Sequence, residues 1–184
     1  MSKRIAYLTA AAFSALAITA TVVAPARAEE KTVMVGGAAM FPSKNIVQNA
    51  VNSKDHTTLV AAVKAAGLVP TLEGKGPFTV FAPTNAAFGK LPAGTVDNLV
   101  KPENKATLTK ILTYHVVPGK LEASDLTDGK KLKTVEGEEL TVKKSGSSVM
   151  IVDAKGGSST VTIPNVNQSN GVIHVVDTVL MPAS

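Results

Sequence analysis

Three observations predict an α+β fold. Residues 45–112 carry apolar side chains mainly at helical spacing. From Tyr114 onward the chain turns to short β-branched runs separated by turn residues. One segment, residues 77–83, is β-branched, aromatic and bounded by proline, and it places a single strand inside the helical half. The later strands follow one another too closely for parallel crossovers, so an antiparallel meander is expected, packed on a helical layer over one shared core. A chain of 184 residues holds one domain of ordinary size.

The first 28 residues have the three parts of a secretory leader: basic Ser2-Lys3-Arg4, an alanine-rich apolar run over 5–24, and the small-x-small site Ala26-Arg27-Ala28. Cleavage after Ala28 is expected. An uncleaved anchor is the competing reading, because the run is long enough to span a bilayer. Weakly apolar alanine and the cleavage site favour removal. Cleavage takes away Lys3, Arg4 and Arg27, leaving 16 basic residues, all lysine, against 14 acidic ones. The formal charge falls from +5 to +2. A mature chain without arginine or tryptophan, with one tyrosine and four phenylalanines, lacks both the guanidinium fork and the stacking surface of nucleic-acid binders. No nucleic-acid partner is expected, and no transmembrane segment after cleavage. The expected location is the periplasm, the cell surface or the medium. The absence of Cys excludes a disulfide scaffold, a thiolate nucleophile, a zinc–thiolate site and an N-terminal lipidated Cys.

The elements follow in order. Residues 29–44 read as a tail, loose or adding an edge strand through Val33–Val35, and the domain proper as 45–182. In 55–67, Asp55 or Thr57 can cap a helix whose Leu59, Ala62, Val63 and Ala66 form one face, and Gly67 fits a left-handed stop. The strand at 77–83 leads to Thr84, a cap for a short helix carrying Ala86, Ala87 and Phe88 inward. Pro102 and Glu103 suit the start of a helix with Leu108, Ile111 and Leu112 buried. Strands are expected at 114–117, 131–135, 140–142, 149–152, 161–163 and 172–180, with 165–171 as one of the turns between them.

The chain carries no dinucleotide or phosphate-loop fingerprint, no nucleophile elbow and no zinc-protease helix. His56, His115 and His174 stand 59 residues apart in each interval, which is no chelating spacing. No metal, cofactor or catalytic residue is therefore expected. His115 and His174 lie in apolar runs, so each is expected to be buried and neutral, with its ring bonded to backbone or hydroxyl. Glu138-Glu139 point to opposite strand faces. The lysine pairs at 130–131 and 143–144 read as solvated strand ends. Asn167-Gln168-Ser169 fits a glycosylation sequon.

Three segments together resemble the fasciclin (FAS1) family: residues 78–88, with Phe78, Phe81, Pro83, Thr84 and Phe88; the pair Tyr114-His115; and residues 170–182, with Asn170, Gly171, His174 and Asp177. The resemblance covers nearly all of the mature chain. It implies a wedge of antiparallel strands flanked by helices, and motif residues that are mainly structural. Phe78 or Val80 is expected on one sheet face, with Phe81 and Phe88 in the helical layer. Tyr114-His115 is expected to hold strand to helix near the centre. The resemblance also implies an exported, non-catalytic adhesion module of the small bacterial type, monomeric, whose partner is a surface or matrix protein or polysaccharide. Some animal members carry an Asp-Ile pair before the last segment; Asn165-Val166 stands there in this sequence, and asparagine supplies no carboxylate. Asp125 and Asn165-Val166 are candidate exposed contact loops. The runner-up function is a carrier of an apolar small molecule or lipid held between sheet and helices; a Ser–His–Asp hydrolase assembled by folding ranks third.

Overall fold

The computed structural model describes residues 31–183. The expected leader lies outside them. The tail is neither loose nor an edge strand of the main sheet. Strands β1 (Val33–Val35) and β2 (Ala38–Met40) form their own antiparallel hairpin, turning through Gly36 and Gly37 at φ 57° and 76°. Both conformations suit glycine. Val35 and Met40 bury their side chains in the helix-side core.

Helix α1 (Ile46–Ala50) opens on a capping box: Gln48 N–H donates to Asn45 Oδ1 at 2.8 Å and Asn45 N–H donates to Gln48 Oε1 at 3.0 Å. Helix α2 (Thr57–Ala66) follows a 3₁₀ turn and stops at Gly67, φ 72°, with the four expected residues buried. Neither Asp55 nor Thr57 caps it. Asn85 does so from a distance: its Oδ1 accepts from Thr58 N–H at 3.0 Å and its Nδ2 donates to Lys54 O at 2.8 Å. Helix α3 (Val69–Glu73) leads to strand β3 (Phe78–Pro83) and helix α4 (Asn85–Gly89), which Thr84 caps through Ala87 N–H at 3.2 Å. Ala87 and Phe88 are buried as expected, whereas Ala86 faces solvent. Helix α5 (Thr95–Leu99) precedes helix α6 (Lys105–Tyr114), which buries Leu108, Ile111, Leu112 and Tyr114. The helix therefore takes in Tyr114, which the sequence had placed in a strand.

Strands β4 (Val116–Pro118), β5 (Lys131–Lys133), β6 (Glu139–Ser145), β7 (Ser148–Val152), β8 (Ser158–Gln168) and β9 (Gly171–Val176) complete the fold. Among the described residues the large sheet runs β4-β3-β9-β8-β7-β6-β5. Its ends approach each other, with Val135 N–H donating to Val116 O at 2.8 Å, so the sheet curls toward a barrel. The sequence-local pairs are antiparallel, as expected. The central pair is not: β3 and β9 run parallel, from Phe78 opposite Gly171 to Pro83 opposite Val176. Residues 84–170 separate these two strands, and that length supplies the crossover a parallel pair needs.

Alternation along β3 divides two cores. Val80 and Ala82 face the helices and pack with Phe88, while Phe81 faces the interior of the curled sheet with Tyr114, Val117 and Leu126. Phe81 therefore leaves the helical layer where the sequence had placed it, because it is out of phase with Val80. Its ring stacks on His174, the residue opposite in β9, at 5.7 Å between centroids and 26° between planes.

Candidate functional site

The strand pair β3–β9 organises the residues the sequence singled out. At its start, Gly171 lies so close to β3 that a Cβ there would sit 2.0 Å from Phe78 O. Only glycine permits that approach. Asn170 just before it joins four segments. Its Nδ2 donates to Leu72 O at 2.7 Å and Gly74 O at 3.0 Å, its Oδ1 accepts from Ile46 N–H at 3.1 Å, and its carbonyl accepts from Phe78 N–H at 3.0 Å. One side chain thus satisfies the free donor of α1 and the trailing carbonyls of α3.

Tyr114 and His115 occupy the end of α6, where the last carbonyls of a helix need partners. His115 Nδ1–H donates to Ile111 O at 2.8 Å, and Nε2 accepts from Leu180 N–H at 3.0 Å. These partners fix the tautomer. Burial pushes the ring pKa down to about 4, outweighing the Ile111 carbonyl and the more distant Asp153 carboxylate. Tyr114 is fully buried; its hydroxyl donates to Glu139 O at 3.3 Å and accepts from Ala154 N–H at 2.9 Å. The pair ties α6 to the sheet and to the chain beyond β9, in the central position the resemblance implies.

His174 uses the opposite tautomer. Nε2–H donates to Leu121 O at 2.7 Å and Nδ1 accepts from Asn165 N–H at 3.3 Å. Burial lowers its pKa, with the Leu121 carbonyl and Glu122 acting against it. Asn165 stands at φ 57° beside Pro164, where β8 shifts register between Ile163 and Val166. Its Oδ1 accepts from Ala123 N–H at 2.7 Å. The bulge and His174 together hold the segment around 121–123 against the sheet.

Two carboxylates close the far end. Asp177 accepts from Thr160 N–H at 2.8 Å and the Thr178 hydroxyl at 3.1 Å, and Lys90 Nζ lies 3.6 Å away. Burial would raise its pKa, but these donors and the cation hold it below the usual value. Asp153 is buried, accepting from Lys155 and Gly157 N–H through Oδ1 and from Met181 N–H through Oδ2. No sequence pattern marked Asp153, because its partners are backbone groups brought in by the fold. The same is true of buried Asn49, whose Oδ1 accepts from Phe41 N–H and whose Nδ2 donates to Phe41 O, and of Thr79, whose hydroxyl donates to Gly119 O and accepts from Leu121 N–H.

His56 forms a contact that sequence reading missed: Nδ1 and Ser53 Oγ are 2.9 Å apart. Both side chains are buried. Nε2 has no partner in bonding geometry, and burial lowers the pKa against the opposing effects of the Ala82 carbonyl and Asp55. No carboxylate orients the ring, and both side chains are closed to solvent, so the accessible, oriented base of a serine hydrolase is not formed here. Among the described residues no group of three or more His, Cys, Asp or Glu is placed to hold a metal ion.

Of the candidate contact residues, Asp125 is exposed, with one carboxylate oxygen bonded to Glu122 N–H at 3.0 Å. Asn165-Val166 is not an exposed loop. Strand β8 continues through it to Gln168, Asn165 turns inward to Ala123, and Val166 is 1% exposed in the helix-side core. The loop reading failed because the bulge carries turn residues inside a strand. The sequon residue Asn167 lies in the same strand, with its Oδ1 buried.

A model of the fasciclin domain matches residues 54–182. The chain belongs to the fasciclin family. It is 46% identical to Protein sll1483 of Synechocystis over 97% of this chain and 96% of that one. It is 40% identical to the immunogenic protein MPB70 of Mycobacterium bovis, over 72% of this chain and 66% of that one. With the cell surface glycolipoprotein MPB83 of the same species it shares 39% identity, over 80% and 64% of the two chains. In structure it is similar to a FAS1 domain pair from the insect cell adhesion molecule fasciclin I, with TM-score 0.68 and 19% identity over 77% of this chain and 52% of that one. That likeness places the fold. The fasciclin model begins at residue 54, so the β1–β2 hairpin and α1 precede the matched region while sharing its core.

Proposed function

We propose that this fasciclin domain is an exported adhesion module that grips a surface or matrix protein or polysaccharide with its exterior and catalyses no reaction. One observation supports this most: the histidines and tyrosine of the family motifs are consumed as internal ties, with their polar atoms bonded to backbone. What remains to meet a partner is the outer surface, including the loop that displays Asp125. Relatives described as a cell surface glycolipoprotein and an immunogenic protein support an exposed, exported setting. Among the described residues no helix is long and apolar enough to cross a membrane.

Purified protein is tested for retention on the envelope and extracellular matrix of its source cells, alongside surface attachment by a strain lacking it. Retention, weakened by Asp125→Lys, and reduced attachment of the deletion strain are expected. No retention together with unchanged attachment would contradict the proposal.

A further inference from the structure

An open cleft of about 540 Å³ lies at the end of the β3–β9 pair where Gly171 meets Phe78. Sites that hold small molecules run from about 300 to 1,000 Å³. Three segments wall the cleft: the start of α1 at Asn45 and Gln48, the α3–β3 connection over 73–77, and the β8–β9 turn over 168–171. Lys120 completes the lining. From the turn, Asn170 bonds both other walls, through Ile46 N–H on one side and Leu72 O and Gly74 O on the other. The cleft is therefore formed before any ligand arrives, and binding there costs little reordering of the chain.

The lining is rich in donors. In the capping box of α1 the side-chain oxygens of Asn45 and Gln48 accept from backbone N–H. That orients both amides and leaves their NH2 groups without a partner among the described residues. Lys75 is exposed and forms no ion pair among the described residues, and exposed Lys120 lies 3.6 Å from Glu122. One carboxylate, Glu73, also lines the cleft, exposed and outside every ion pair among the described residues. Two cations and two amide NH2 groups call for carboxylate and other oxygens, while Glu73 calls for a hydroxyl donor. A run of acidic side chains brings carboxylates alone and sets them against Glu73; a uronic acid brings a carboxylate and hydroxyls on one ring. We infer that the cleft binds a short segment of an acidic polysaccharide built from uronic acids. Its carboxylate meets Lys75 and Lys120, its other oxygens accept from Asn45 Nδ2 and Gln48 Nε2, and a sugar hydroxyl donates to Glu73. The inference rests on the adhesion proposal and names its partner and contact. Repetition of the unit along a polymer then strengthens a contact that is weak for one segment.

Proton–nitrogen NMR of the protein, titrated with tetragalacturonate, its methyl ester and tetra-aspartate, tests the assignment. Saturable shifts with tetragalacturonate are expected at the side-chain amides of Asn45 and Gln48 and the backbone amides of Gly74, Ser169 and Gly171. The methyl ester keeps the hydroxyls and loses the charge, and tetra-aspartate keeps the charge and lacks the hydroxyls, so each binds more weakly. Lys75→Gln weakens tetragalacturonate about two- to fivefold, and adding Lys120→Gln weakens it again by a similar factor. Both lysines are exposed, so these variants keep the thermal transition of the unmodified protein. Absence of saturable shifts overturns the proposal, as do shifts confined to residues outside the cleft or binding that the double variant does not change. Equal affinity for tetra-aspartate overturns the saccharide assignment, and equal affinity for the methyl ester overturns the acidic one. Asp125 is not among the lining residues, and retention on the envelope is read separately. Failure of the titration with retention intact therefore contradicts the cleft alone and leaves adhesion standing.

Discussion

At His115 both ring nitrogens serve the backbone, one closing α6 and the other holding Leu180. Replacing it with alanine strands Ile111 O and Leu180 N–H in a buried site and leaves a void, costing about 3 kcal/mol or more in urea unfolding. Gly171 is constrained differently. A methyl group there would meet Phe78 O at 2.0 Å, and backbone cannot yield as a flexible side chain would. Gly171→Ala is therefore expected to prevent β3–β9 pairing, read as loss of the cooperative thermal transition in circular dichroism. His115 thus acts as a tie in the fold, and Gly171 permits the close approach of β9 to β3.

Elements show what was legible and what was not. The stop of α2 at Gly67 and the cap of α4 at Thr84 are local devices, and local chemistry predicted both. The cap of α2 is a long-range one. Asn85 reaches it from 27 residues away, so no window around Asp55 or Thr57 contained the answer. Parallel pairing of β3 with β9 was hidden for the same reason, as was the bulge at Asn165, whose turn-like composition concealed an unbroken β8. Burial of His115 and His174 was legible because apolar neighbours on a strand or helix end leave a ring little choice, although the identity of their partners was not. Asn85→Ala is expected to destabilise the protein by about 1 kcal/mol, as loss of a side-chain cap does. The accompanying rise in amide exchange should be concentrated at Thr58 and its neighbours, and uniform acceleration across the sheet would contradict the capping role.

For the whole molecule, burial of the histidines couples folding to acidity. His115 titrates at about 4 when folded against 6.5 when exposed, so between these values the unfolded chain binds more protons. Stability is accordingly full above pH 6.5 and falls as the pH drops toward 4. The loss is on the order of 3 kcal/mol from this group alone. His56 and His174, also lowered by burial, act in the same direction. Asp177, whose carboxylate is favoured in the fold, withdraws its contribution at still lower pH. Urea unfolding between pH 7 and 4 should show this decline, and His115→Gln should flatten it.

The central claim is that the motif histidines are neutral internal ties. Imidazole nitrogen chemical shifts, followed by NMR from pH 8 to 4.5 in the folded protein, test it most directly. The account predicts His115 as the Nδ1–H tautomer and His174 as the Nε2–H tautomer, with neither titrating near 6.5. Titration of either ring close to 6.5, with its N–H exchanging rapidly with solvent, would contradict it.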